Sequence, residues 1–123
     1  MQEDAEKDQA ETHRVQISVD RKGDHENPRV VTDPNPCYIR PRDHVEWTCE
    51  DGPFAIQFEP LSPLTLRRLR TETNNRTIKG EVRPDNQPGS YRYFVAVEVN
   101  GQIFTEDPEL IDDPDDRTIP GPN

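Results

Sequence analysis

The feature that most limits what this chain can fold into is a period of two. Val15, Ile17 and Val19 alternate with Arg14, Gln16 and Ser18, the pattern of a strand with one face buried. Val45, Trp47 and Cys49 alternate with His44, Glu46 and Thr48. Phe54, Ile56 and Phe58 alternate with Ala55 and Gln57, and Ile78, Gly80 and Val82 repeat the pattern more weakly. The longest run is Tyr91, Tyr93, Val95, Val97 and Val99. Phe94 and Ala96 make its middle apolar on both faces, which predicts a central strand. Asn100-Gly101 then predicts a hairpin into Gln102-Ile103-Phe104-Thr105, because Asn-Gly suits the tight turn of antiparallel strands.

Turn clusters separate these runs. They are Asp33-Pro34-Asn35-Pro36, Asp51-Gly52-Pro53, Asp85-Asn86-Gln87-Pro88-Gly89 and Asp107-Pro108. Short strands punctuated in this way predict an all-β sandwich or barrel. The 13 prolines argue against a helical bundle. Residues 62–70 break the pattern. Ser62-Pro63 followed by Leu64 to Arg70 has helical propensity, so a short helix or loop insertion is expected there.

The ends are polar and aperiodic. Residues 1–12 read as a disordered acidic arm and 113–123 as a disordered Pro/Asp-rich tail, leaving one β-sandwich domain over 13–112. Asp and Glu number 25 against 15 Lys and Arg, a formal charge of -10. That balance excludes nucleic acid as a partner of the whole surface and disfavours anionic membrane. No apolar run approaches the roughly 20 residues of a spanning helix. The acidic start is no signal peptide. Cytoplasm is therefore expected, or the periplasm or exterior if Met1 was added to a mature chain.

Three segments carry a family resemblance. Arg42-Asp43-His44-Val45-Glu46-Trp47 resembles the Gly-Asp-x-Val-x-Trp segment of cupredoxins, the blue-copper β-sandwich proteins. Pro53-Phe54-Ala55-Ile56-Gln57-Phe58 resembles their Pro-His-x-Val-x-Phe strand. Gly89-Ser90-Tyr91-Arg92-Tyr93-Phe94 resembles the Gly-x-Tyr-x-Tyr-x-Cys strand before the copper loop. The likeness covers about residues 13–112 and implies a Greek-key sandwich of about seven to eight strands. Arg42 replaces the family's first glycine.

The copper chemistry does not carry over. A blue-copper centre needs two imidazoles and a thiolate, with a weak axial sulfur. By the resemblance, Phe54 takes the first histidine position, Val95 the cysteine position and Glu98 the second histidine position; the only methionine is Met1. No copper and no other cofactor is expected. Phe54 then either fills the core in place of metal or stands exposed as a contact point.

Cys37 and Cys49 leave alternatives open. If residues 37–49 form a simple hairpin, Ile39 faces Trp47 and Cys37 faces Cys49, and a cross-strand disulfide is possible. If the strands lie in opposite sheets, both are buried free thiols. His13, His25 and His44 show no metal-ligand spacing with each other or with the cysteines.

Arg67, Arg68 and Arg70 cluster inside an acidic chain. They suit an anion site, or a solvated face paired with Glu59 and Glu72. Asp107 to Asp116 lacks the calcium-loop pattern. Asn75-Arg76-Thr77 matches a glycosylation acceptor. No nucleophile, phosphate-loop or zinc-protease motif is present, and His44 and Cys49 fall on opposite faces of one strand.

The sequence therefore leads to a non-catalytic, metal-free, monomeric module that binds another protein. The alternative is a redox or metal protein using Cys37, Cys49 and the histidines in a new arrangement. A third reading is an accessory domain anchored through its acidic arms.

Overall fold

The computed structural model describes residues 10–20 and 28–113. The chain runs through β1 (Thr12–Asp20), β2 (Arg29–Asp33), β3 (Cys37–Ile39), β4 (His44–Cys49) and β5 (Phe54–Phe58). It continues through β6 (Arg68–Arg70), β7 (Thr77–Glu81), β8 (Gly89–Val99), β9 (Gln102–Glu106) and β10 (Glu109–Asp112). The described residues contain no helix. The protein is an all-β sandwich, with ten strands where about seven to eight were expected.

One sheet has the order β2-β1-β4-β7 and the other β3-β10-β8-β5-β6, with β9 also on β8. Two pairs are parallel, β1 with β4 and β10 with β3. The long β8 serves three neighbours. β5 takes one edge over Tyr93–Val97. The other edge is shared, β10 along Gly89–Arg92 and β9 along Val95–Val99.

The period of two decides what is inside. Val15 and Ile17 from β1, Val45, Trp47 and Cys49 from β4, and Ile78 from β7 face Ile56 and Phe58 from β5, Tyr93, Val95 and Val97 from β8, and Leu110 from β10. Each loses nearly all its solvent contact. Burial of apolar area at about 25 cal/mol per Å² is what holds the two layers together.

Three expectations change. First, the segment expected as a short helix or loop is a loop over 62–67, and its last residues, Arg68–Arg70, form strand β6. Ser62 Oγ accepts the Leu64 N–H at 3.0 Å and donates to the Leu66 carbonyl at 2.7 Å, tightening a turn. Leu64 bridges to Val82 and is buried in the core. That contact, with Arg67 accepting from the Phe58 N–H, holds the segment extended. Helical propensity is a weak preference that such packing overrides.

Second, residues 37–49 are not a hairpin. β3 belongs to one sheet and β4 to the other. Arg42, at φ 75°, lies in the turn between them, where its N–H binds the Val82 carbonyl. Third, β1 begins inside the expected acidic arm, with Thr12 paired to His44. The rest of the arm to residue 9, and the tail from residue 114, lie outside the described residues.

Candidate functional site

The positions matched to copper ligands do not converge. Phe54 and Val95 are 3% and 0% exposed and fill the core. Phe54 pairs with Val97, and Val95 with Ile56. Glu98, one residue past Val97, points to the opposite face and is exposed. Alternation along β8 forces this split, because positions 95 and 98 have opposite parity. The neighbouring loop packs tightly there. Gly52 is buried with its α-carbon against the Glu98 carbonyl, and the Glu98 N–H binds Pro53 O at 3.0 Å.

Cys37 and Cys49 are buried free thiols, so the disulfide considered from a hairpin is not formed. Their strands lie in opposite sheets and find other partners. Cys37 sits beside Leu110, and Cys49 beside Ile17. Burial pushes the Cys37 thiol up to about 11, and the charge of Asp43 adds to the rise. Burial also raises Cys49, against a partial opposing pull from the N–H groups of Asp51 and Gly52. Thiols held protonated are poor nucleophiles and poor metal ligands.

The histidines go elsewhere. His44 is exposed, and His25 lies outside the described residues. His13 donates from Nε2 to Asp43 Oδ2 at 2.7 Å. The same carboxylate accepts the Arg40 N–H at 2.9 Å and, through Oδ1, the Glu11 N–H at 3.1 Å. With Glu11 this makes the one group among the described residues that brings three metal-type ligand atoms within 4.8 Å. Both Asp43 oxygens already serve the backbone. The arrangement works as a latch tying the start of β1 to the β3–β4 turn. No spacing in the sequence signals it, and Asp43 entered only within the Arg42–Trp47 resemblance. Among the described residues neither cysteine joins this group, and His25 lies outside them.

The acidic residues Asp107, Glu109 and Asp112 are engaged rather than open. Arg92 meets Asp107 at 3.4 Å and Glu109 at 3.6 Å. Ser90 Oγ donates to Glu109 at 2.6 Å, and Asn86 donates to buried Asp112 at 2.9 Å. Asn75 is exposed, with Oδ1 accepting the Thr77 N–H at 3.0 Å.

The outer face of β6, β5 and β8 is different. Register places Arg70, Ala55 and Ala96 in one row, and Arg68, Gln57 and Phe94 in the next. The two alanines leave a shallow groove of about 430 Å³, with Phe94 as one wall and the arginines as the other. Phe94 is 53% exposed, and Ile103 of β9 is 60% exposed. Sequence alternation predicted a central β8, and it is central. Among the described residues no layer covers its outer face, and Phe94 is a surface residue.

The expected pairing of the arginines with Glu59 and Glu72 does not occur. Glu59 accepts from Gln57 Nε2. Arg67 donates to the Pro60 carbonyl at 3.1 Å. Among the described residues Arg68 and Arg70 have no carboxylate within ion-pair distance, in a chain of charge -10. No family model matches the chain, and no curated protein matches it.

Proposed function

We propose that this chain is a non-catalytic, metal-free binding module of cupredoxin-like, Greek-key form, which engages another protein through the outer face of β5, β6 and β8. One observation carries the reading. A half-exposed phenylalanine, a floor of alanines and two arginines without ion-pair partners among the described residues share one open sheet face. Aromatic and arginine side chains are the groups that most often anchor protein contacts. A rigid sheet presents them without an ordering cost.

Support for the absence of copper comes from Phe54 and Val95 in the core and Glu98 on the far face. Support for a non-enzymatic role comes from the burial of both thiols and the engagement of His13 by Asp43. Two free thiols favour a reducing compartment, where disulfides do not persist. The module acts as a monomer.

The test is quantitative capture from a lysate with wild type, Phe94→Ser and Arg68→Glu/Arg70→Glu, alongside elemental analysis of the purified chain. Partners retained by wild type and lost by both variants support the reading. Identical capture by all three overturns the assigned face. Copper, zinc or iron near one per chain overturns the metal-free part.

A further inference from the structure

We infer that the partner is an extended acidic segment that adds as a strand to the free edge of β6, in the order acidic–apolar–acidic. The inference rests on the binding-module reading above and supplies the chemistry of its partner.

The edge comes first. β6 ends its sheet, with β5 on one side and no described strand on the other. The Arg67 carbonyl accepts from Phe58, and the Thr71 N–H donates to Phe54, so residues of odd number turn their backbone groups toward β5. In an antiparallel strand the intervening residues point the other way. The N–H and C=O of Arg68 and Arg70 therefore face outward, ready for another chain.

The side chains then fix what that chain carries. Residues of an added strand directly opposite Arg68 and Arg70 share their face and lie within cross-strand reach. Aspartate or glutamate fits both positions. The residue between them turns to the other side, where Leu69 is half-buried. There a hollow of about 300 Å³ opens between β6 and β7, the terminal strands of the two sheets. Leu64, Leu66 and Leu69 line it, and Leu66 is 57% exposed. An apolar side chain fits that hollow. Period-two alternation converts these two faces into one three-residue pattern.

The same arginines reject the commonest wrong partner. A second copy adding its own β6 would set Arg68 and Arg70 against arginines, and like charges directly opposite repel. Charge on an edge strand is a known guard against self-pairing. Here it also selects a partner of opposite sign.

The probe is a synthetic peptide with a threonine-rich extended frame around Asp-Leu-Asp. A Lys-Leu-Lys peptide and a Leu-Asp-Asp reordering serve as controls. Binding is read by amide shifts and hydrogen exchange on the full chain. The expected result is slowed exchange at the Arg68 and Arg70 N–H groups with Asp-Leu-Asp alone. Arg68→Gln/Arg70→Gln should bind it about tenfold more weakly, and Arg68→Glu/Arg70→Glu should prefer Lys-Leu-Lys. Shifts confined to Ala55, Phe94 and Ala96 would overturn strand addition while leaving the proposed face intact. Equal binding of the reordered peptide would overturn the alternating pattern. No shift with any peptide would overturn the inference as a whole, independently of the lysate result.

Discussion

The indole N–H of Trp47 donates to the hydroxyl of Tyr93 at 3.1 Å, across the space between the two sheets. The rings meet edge to face, 5.8 Å between centroids. Phe58 completes the cluster at 5.0 Å from Tyr93. Burial holds the Tyr93 hydroxyl well above its ordinary pKa, so it stays a neutral acceptor. Tyr93→Phe should cost about 1–3 kcal/mol, because it strands the Trp47 N–H in a dry interior. Urea unfolding followed by tryptophan fluorescence measures this.

Asp43 should matter more than its size suggests. Its carboxylate holds the backbone of Glu11 and Arg40 and the ring of His13. Asp43→Ala should cost about 3 kcal/mol, as expected when several charge-assisted bonds to one buried carboxylate are lost. His13→Ala should cost about 1 kcal/mol, since both backbone bonds survive. Equal losses from the two variants would show that the backbone bonds contribute nothing.

The thiols should be silent in the folded protein. At pH 8 neither Cys37 nor Cys49 should react with a disulfide reagent until denaturant is added. An intact mass under non-reducing conditions should match two free thiols. The pH dependence has a definite sign. An unfolded thiol releases its proton near 9.0, whereas folded Cys37 keeps it to about 11. Over that interval the folded state binds more protons, so stability falls as pH rises. Below pH 9 the contribution is complete and the curve should be flat from this source. Cys37→Ser should flatten the alkaline decline.

Gly52→Ala should destabilise by about 1–3 kcal/mol, the usual cost of forcing atoms into a packed site. The added methyl would overlap the Glu98 carbonyl oxygen, which is backbone and cannot swing away. Melting temperature reads the loss directly. Gly101→Ala offers a contrast, because nothing lies within 4 Å of its added methyl; the cost there comes from φ 81° alone.

Phe94→Ser should leave the melting temperature close to that of wild type while removing partner binding. The ring is half exposed already, and surface substitutions away from caps and cores usually stay within about 0.5 kcal/mol. A large fall in stability would identify Phe94 as structural instead.

Much of the fold was legible because one-sided burial writes itself into alternate residues. β1, β4, β5, β8 and β9 follow the pattern read from the chain. β2 and β10 escaped, since Arg29–Asp33 and Glu109–Asp112 are short and bounded by charge and proline. β6 looked helical because its leucines and arginines favour a helix until Leu64 locks onto Val82. Alternation fixes which face a residue takes but not which sheet its strand joins. That is why the Cys37–Cys49 register looked possible. The candidate face was half legible. Arg68 and Arg70 were visible as a basic cluster, but Phe94 read as interior, because a strand apolar on both sides gives no sign that one side lacks a cover.

The neighbours of β3 and β10 have a consequence for synthesis. As the chain leaves the ribosome, β2, β1 and β4 can assemble once residue 49 has emerged, and β7 soon after. Cys37–Ile39 meanwhile has no strand beside it until Glu109–Asp112 exists. One sheet is thus complete by residue 81, while the other, begun by the β5–β6 pair, gains β8 only by residue 99 and seats β3 last; until then Val15, Ile17, Val45 and Trp47 lack their full cover against water and other nascent chains. The acidity that keeps the finished molecule apart would then do its most important work during those seconds.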